Sequence, residues 1–118
     1  MERTVAPLAR EAVKRAVLAS DPEGYARTCE AIVSLDHKDP QYKKITSPAL
    51  FVVGDRDMIS PMERSRELSG MLGGTSWVEV VQSGHQQILE DLPGVKFAVD
   101  KLLGSVAVCS AAKALKDP

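Results

Sequence analysis

A short apolar run that ends at a glycine constrains the fold of this chain more than any other feature. Residues 49–53, with the sequence ALFVV, contain no polar side chain, follow Pro48 and end at Gly54. Such a run is typical of a strand covered on both faces in a parallel sheet, whereas a buried helix is disfavoured by the short length of the run and by Pro48. The run therefore predicts a buried strand and helices on the faces of its sheet.

The residues after this run predict a helix and a second strand. Ser60, Pro61 and Glu63 follow the capping-box pattern, in which the serine caps the helix and the proline occupies its first position. The helix is expected to run from Pro61 to about Leu72 and to stop at the two glycines that follow. Residues 76–81, SWVEVV, then predict the second strand.

Helical spacing predicts one helix after the second strand and two before the first. The last helix is expected to end at Gly104, because glycine is common just past the end of a helix. Residues 5–17 predict an amphipathic helix, and Asp21 is expected to cap a second helix that has Pro22 in its first turn. This second helix is expected to bury a stripe formed by Tyr25, Cys29, Ile32 and Val33.

The order strand, helix, strand, helix predicts a right-handed crossover and an α/β fold with two parallel strands and flanking helices. We interpret residues 1–35 as a helical unit, residues 36–48 as a polar, proline-broken linker, residues 49–104 as the sheet unit and residues 105–118 as a tail.

Composition and charge exclude several classes of function. The 118 residues are 44% hydrophobic and 26% charged, and the net charge is −1, without the excess of lysine and arginine typical of nucleic-acid binders. The N-terminal residues mix charges throughout and resemble neither a secretory signal nor a membrane segment, so a cytoplasmic location is expected. Cys29 and Cys109 are expected to be free buried thiols, and the two histidines occur in no metal-binding motif.

Two polar loops are expected to meet at one edge of the sheet. One loop, GDRDMIS, carries Asp55 and Asp57, and the other, QSGHQQ, carries His85. The carboxyl ends of neighbouring parallel strands lie at the same edge, where functional residues gather. An aspartate there can accept a hydrogen bond from the ring N–H of His85, which leaves the other ring nitrogen to act as a general base.

The residues of these loops resemble the C-terminal part of the α/β-hydrolase fold. The resemblance rests on Ile45, Pro48, Gly54, Asp57 and Pro61, followed by Gly84, His85 and Glu90. Residues 21–36, DPEGYARTCEAIVSLD, resemble the end of the helical cap in enol-lactonase-like members, notably 3-oxoadipate enol-lactonases. Together the similar residues cover about residues 20–103, so residues 1–35 become a cap remnant and residues 49–104 the C-terminal part of a hydrolase core.

The resemblance implies that Asp57 is the catalytic acid and His85 the catalytic histidine, with no cofactor and no metal. Asp55 matches no catalytic position and is interpreted as a solvated turn residue. Met58 and Ile59 follow the acid, and they are predicted either to line a substrate pocket or to be buried in the ordinary way. Glu90 and Pro93 are separated by two residues instead of the usual one, which leaves the start of the last helix open.

The nucleophile of such an enzyme is missing from these residues. The fold carries it in a G-x-S-x-G elbow, which does not occur in this sequence. Ser110 and Lys113 match a bare S-x-x-K pattern, which we attribute to chance in an alanine-rich tail. The sequence therefore predicts a C-terminal fragment of a hydrolase for a small-molecule ester or lactone, inactive alone.

Two alternatives remain open at this stage. The C-terminal pattern is shared by dehalogenases, epoxide hydrolases and C–C hydrolases and does not choose among them, so the preference for a lactonase rests on the cap resemblance alone. A non-catalytic, truncated or self-associating module is the other alternative. A strand without its inner neighbour exposes backbone groups, so the predicted partner is the missing N-terminal half of the enzyme or a second copy joined through the exposed strand edge.

Overall fold

The computed structural model describes the backbone of residues 7–114 and the side chains of residues 7–108. The chain divides into two units, Met1–Pro40 and Gln41–Pro118. Within residues 7–114, it is a mixed α/β protein with five α-helices and one two-stranded parallel sheet. None of these helices has the length and apolarity needed to cross a bilayer.

The first unit consists of two helices, α1 (Pro7–Ala19) and α2 (Pro22–Ile32). The predicted cap of α2 is confirmed: a carboxylate oxygen of Asp21 accepts the backbone N–H of Gly24 at 2.8 Å, and Pro22 lies in the first turn. The start predicted for α1 at Val5 lies outside the described residues.

The predicted burial of the α2 stripe is wrong within this unit. Tyr25, Ile32 and Val33 are 67%, 75% and 76% exposed, and Cys29 is an exposed free thiol. Helical spacing identifies a face that favours burial, but it does not supply the element that covers that face. The side chain of Cys109 lies outside the described residues.

The second unit contains the sheet. After a short 3-10 turn at Tyr42–Lys44, its elements are β1 (Ala49–Gly54), α3 (Met62–Met71), β2 (Ser76–Val81), α4 (Gln87–Glu90) and α5 (Leu92–Ala114). The strands β1 and β2 pair in parallel, from Ala49 opposite Ser76 to Gly54 opposite Val81. The predicted strands and their parallel order are confirmed, and α3 and α5 both pack on the two strands.

Burial is concentrated at the carboxyl end of the sheet. Val53, Val81 and Ala98 are buried at 1%, 5% and 1% exposure, whereas the first four residues of β1 are only half-buried. The prediction of a strand covered on both faces along its length therefore holds only for Val53 and Gly54. The well-packed end is the one from which both polar loops leave.

Two predicted helix boundaries differ from the structure. Pro61, not Ser60, occupies the cap position of α3, and no side chain caps the helix. Ser60 lies one residue earlier, where its backbone N–H donates to Asp57 Oδ1 at 2.8 Å. The helix α5 passes through Gly104 and continues to Ala114. Among the described glycines none has a positive φ, so Gly104 does not adopt the left-handed conformation that ends many helices.

Candidate active site

Backbone hydrogen bonds continue the strand pairing into the two polar loops. The Asp55 N–H donates to the carbonyl oxygen of Val81 at 2.9 Å, and the Arg56 N–H donates to the carbonyl oxygen of Ser83 at 3.0 Å. The loop after β1 therefore stays beside the loop after β2 for two residues beyond the sheet. This extension places residues 57 and 85 next to each other.

Gly54 permits this close approach. A Cβ atom built on Gly54 would lie 2.2 Å from the carbonyl oxygen of Gly84 and 2.4 Å from that of Ser83. Real Cβ contacts do not reach such distances, so only a hydrogen atom fits between the loops. The glycine that ends the apolar run is thus required by the contact between two backbone segments.

Asp57 is buried and is held from three sides. Its side chain is 0% exposed, and its Oδ1 accepts the backbone N–H groups of Ile59 at 2.9 Å and Ser60 at 2.8 Å. The Nδ1 atom of His85 lies 3.1 Å from Oδ1 and 3.0 Å from Oδ2. Gln87 Nε2 donates to Oδ2 at 3.3 Å.

Burial and hydrogen bonding act in opposite directions on the pKa of Asp57. Burial removes water and raises the pKa, but the backbone N–H of Ser60, the ring of His85 and the backbone N–H of Ile59 all stabilise the carboxylate. Their combined effect is larger, so the pKa of Asp57 lies below its ordinary value. The carboxylate therefore remains ionised at neutral pH in spite of its burial.

The ionised carboxylate determines the state of His85. A carboxylate only accepts hydrogen bonds, so the proton of the neutral imidazole resides on Nδ1 and the lone pair on Nε2. The side chain of His85 is 43% exposed, and within residues 7–108 no hydrogen bond occupies Nε2. The site thus presents a basic nitrogen to solvent, backed by a buried negative charge.

Two acidic residues hold the loop that carries His85. Glu90 Oε2 accepts the N–H of Gly84 at 2.9 Å and lies 3.8 Å from Arg56 Nη2 on the facing loop. Asp91 Oδ2 accepts the N–H of Gln82 at 2.9 Å, and its Oδ1 accepts the N–H of Gly94 at 3.0 Å. The histidine loop is therefore fixed at both ends, and Asp91 also caps the first turn of α5.

The other predicted site residues lie near the pair but are placed differently. Met58 and Ile59 follow Asp57 with side chains that are 92% and 73% exposed, so ordinary burial does not account for them. Asp55 is exposed, and its Oδ1 lies 3.7 Å from Nε of Arg56. Within residues 7–108, no three His, Cys, Asp or Glu side chains gather into a metal-binding group.

Sequence reasoning missed Gln87 and Asp91 as contributors to the site. Asp91 precedes a helix and is followed three residues later by Gly94, a spacing that suits a cap, so its role was detectable. Gln87 lies in α4, whose four residues are too few to show a helical period, and no local signal marks its contact with Asp57.

The fold and the geometry define a mixed α/β protein with an aspartate–histidine pair at the carboxyl edge of a parallel sheet. Comparisons with models of protein families, with curated proteins and with solved structures find no match for this chain.

Proposed function

We propose that Asp57 and His85 form the acid–base half of an α/β-hydrolase-type site that acts on an ester or a lactone. The observation that carries this proposal is the contact of His85 Nδ1 with both carboxylate oxygens of a fully buried Asp57, at 3.0 and 3.1 Å. The positions of both residues just after neighbouring parallel strands also support it.

The proposed chemistry uses the two ring nitrogens of His85 in different ways. Nε2 removes the proton from a hydroxyl nucleophile as that hydroxyl attacks the carbonyl carbon, and Asp57 stabilises the resulting imidazolium through Nδ1. The imidazolium then returns the proton to the alkoxide that leaves. Water repeats the cycle on the acyl intermediate, with Nε2 again as the base.

The nucleophile and the oxyanion hole are to be supplied by residues outside this sequence, because it contains no G-x-S-x-G elbow. In this proposal, α1 and α2 are the remnant of a helical cap, and β1 and β2 are the last strands of a larger hydrolase sheet. Met58 and Ile59 are proposed to face the substrate, since both side chains are exposed and adjacent to Asp57.

The proposal is tested with an activated aryl ester, which imidazole attacks without a hydroxyl nucleophile. Nε2 of His85 would bond to the acyl carbon, release the phenolate and form an acyl-imidazole that water hydrolyses. The expected result is sustained phenolate release by the wild-type chain, beyond the single equivalent that the exposed Cys29 thiol releases, at a rate that His85→Gln lowers. Equal rates of phenolate release by His85→Gln and by the wild type would contradict the proposed role of His85 Nε2 as a base.

His37 is the matched control for this assay. It also lies beside an aspartate, with Nε2 3.4 Å from Asp39 Oδ1, but both side chains of that pair are more than half exposed. His37→Gln is therefore expected to retain most of the release.

The full hydrolase is tested by adding a polypeptide that carries a G-x-S-x-G elbow and the earlier strands. Hydrolysis of an unactivated lactone is expected from that mixture with the wild-type chain and not with His85→Gln.

A second function, self-association, is favoured by the edges of the sheet. Within residues 7–114, β1 and β2 pair only with each other, so each strand has one edge without a strand partner. Unpaired strand edges are templates for pairing with another chain. We expect a second copy to pair there, which light scattering over a range of concentrations would detect as a dimer mass. A monomer mass at every concentration contradicts this function.

A further inference from the structure

We propose that β1 pairs in antiparallel orientation with β1 of a second copy of this chain, so that two sheets join into one sheet of four strands. The proposal rests on the self-association proposed above and deepens it, because it names the edge, the orientation and the register of the contact. It is carried by the backbone groups of Leu50 and Val52, which point away from β2.

The direction of these groups follows from the pairing of β1 with β2. The N–H and C=O groups of one strand residue point to one edge, and those of the next residue point to the other. The N–H of Ala49 donates to the carbonyl oxygen of Thr75 at 3.1 Å, and the N–H of Asp55 donates to that of Val81 at 2.9 Å. The odd-numbered residues from 49 to 55 therefore face β2, and the even-numbered ones face the opposite edge.

Leu50 and Val52 thus present backbone donors and acceptors at the open edge of β1. Within residues 7–114 no other strand lies at that edge, and no loop or side-chain hydrogen bond made by residues 7–108 reaches these two. Both side chains are apolar, yet both are only half-buried. An added strand would pair the backbone groups and cover more of this apolar surface.

Charge distinguishes the open edge of β1 from that of β2. Pairing around a two-fold axis brings the same stretch of two copies together, and like charges that face each other across strands are destabilising. The strand β2 carries Glu79, which is paired with Lys101 of α5, whereas residues 49–54 carry no charged side chain. A second copy is therefore expected at the edge of β1 and not at that of β2.

The available backbone groups determine the register. Pro48 has no N–H, and the carbonyl oxygen of Gly54 already accepts the N–H of Asp57 at 3.2 Å. Only Leu50 and Val52 offer both a donor and an acceptor that have no other use. When Leu50 of each copy exchanges both hydrogen bonds with Val52 of the other, all of these groups are satisfied.

This register places Phe51 directly opposite Phe51 of the second copy. The two residues form the pair between the hydrogen-bonded ones, with Cα atoms about 4.5 Å apart. Ala49 lies on the same face of β1, but each Ala49 would be four residues from the position opposite it, and the two copies of Ala49 would be about 14 Å apart. Only position 51 is therefore within reach of a disulfide to itself, which needs Cα atoms about 4.4–6.8 Å apart.

The edge is tested by proline substitution and light scattering. Val52→Pro removes the outward donor of β1, and Val78→Pro is the matched control because Val78, by the same alternation, faces the open edge of β2. At a concentration at which the wild type has the mass of two chains, Val52→Pro is expected to have the mass of one chain and Val78→Pro that of two. Circular dichroism checks that each variant is folded.

The register is tested by oxidation with air in a background that lacks the two native thiols, Cys29→Ser and Cys109→Ser. In that background, Phe51→Cys is expected to form a disulfide-linked dimer, and Ala49→Cys, the matched control, is expected to remain a single chain on a non-reducing gel. A cross-link in both variants, or in neither, contradicts the register. This measurement alone decides the proposal if Val52→Pro does not fold.

The outcomes separate this proposal from self-association in general. A dimer mass that persists in folded Val52→Pro, or an equal loss of the dimer in Val78→Pro, overturns pairing through β1 and leaves self-association in place. A monomer mass of the wild type at every concentration removes both. A wild-type monomer that forms a complex only with the elbow-bearing polypeptide also overturns the proposal, because the edge would then bind another chain.

Discussion

Gly54 lies so close to Gly84 that a Cβ atom on Gly54 would be 2.2 Å from the Gly84 carbonyl oxygen. This approach joins the two loops that carry Asp57 and His85, because the neighbouring Arg56 N–H donates to Ser83 on the same stretch of chain. The contact is between backbones, so no rearrangement of a side chain can relieve a methyl group placed there.

Gly54→Ala is accordingly expected to destabilise the protein strongly, by about 2 kcal/mol or more, because overpacking forces backbone shifts. Urea unfolding measures this loss. Gly70→Ala is the control: Gly70 is exposed near the end of α3 and a Cβ atom there meets nothing within 4 Å. It is expected to leave stability unchanged or to raise it by up to about 1 kcal/mol. Equal effects of the two changes would contradict the close approach.

The pKa of Asp57 implies a particular dependence of stability on pH. Its pKa is lower in the folded chain than the value of about 3.9 for an unfolded aspartate, so the unfolded state binds more protons in this range. The contribution of Asp57 to the free energy of unfolding is therefore fully present above about pH 5 and is lost as the pH falls through the folded pKa.

Asp57→Asn tests this dependence. The variant is expected to be less stable than the wild type at pH 7, and the difference is expected to shrink as the pH falls below about 4. Urea unfolding at several pH values measures both. Asp39→Asn, which alters the exposed aspartate beside His37, is expected to show a difference near zero at every pH. A wild-type advantage that grows on acidification would have the wrong sign for a lowered pKa.

Much of the second unit is predictable from local patterns. The apolar run 49–53 and the segment 76–81 are long enough to specify strands, and a strand–helix–strand order specifies parallel pairing. The meeting of the loops after β1 and β2 follows from that pairing, and the structure places Asp57 and His85 in contact there. These features depend on sequence neighbours and on the handedness of the chain.

Features that depend on tertiary partners were not predictable. Helical periodicity marks the apolar face of α2, but it does not specify which element, if any, covers that face. The exposure of Tyr25 and Cys29 was therefore not predictable from the sequence. The reach of Gln87 to Asp57 requires the short turn α4, which carries no periodic signal. Gly104 is ambiguous in sequence, since a glycine occurs both past helix ends and, at a modest cost, within helices.

Asp91 links the histidine loop to α5, so its loss is expected to affect both. Asp91→Ala removes an acceptor from the backbone N–H groups of Gln82 and Gly94, and it is expected to cost about 1–2 kcal/mol. Thermal unfolding measures the cost. Asp100→Ala is the control on the same helix, because it removes only an exposed pair with Lys96, worth at most about 0.5 kcal/mol. A cost for Asp91→Ala no larger than this would contradict the cap.

Gly104→Ala decides whether α5 continues through position 104, because the two possibilities give opposite signs. Within a helix, alanine is more stable than glycine by about 0.5–1 kcal/mol, whereas at a left-handed helix end alanine is less stable. A Cβ atom on Gly104 meets nothing within 4 Å, and its φ is not positive, so steric contacts do not oppose the change. The variant is therefore expected to unfold at a higher urea concentration than the wild type, with higher helical circular dichroism near the midpoint. A lower midpoint would mean that α5 ends at Gly104.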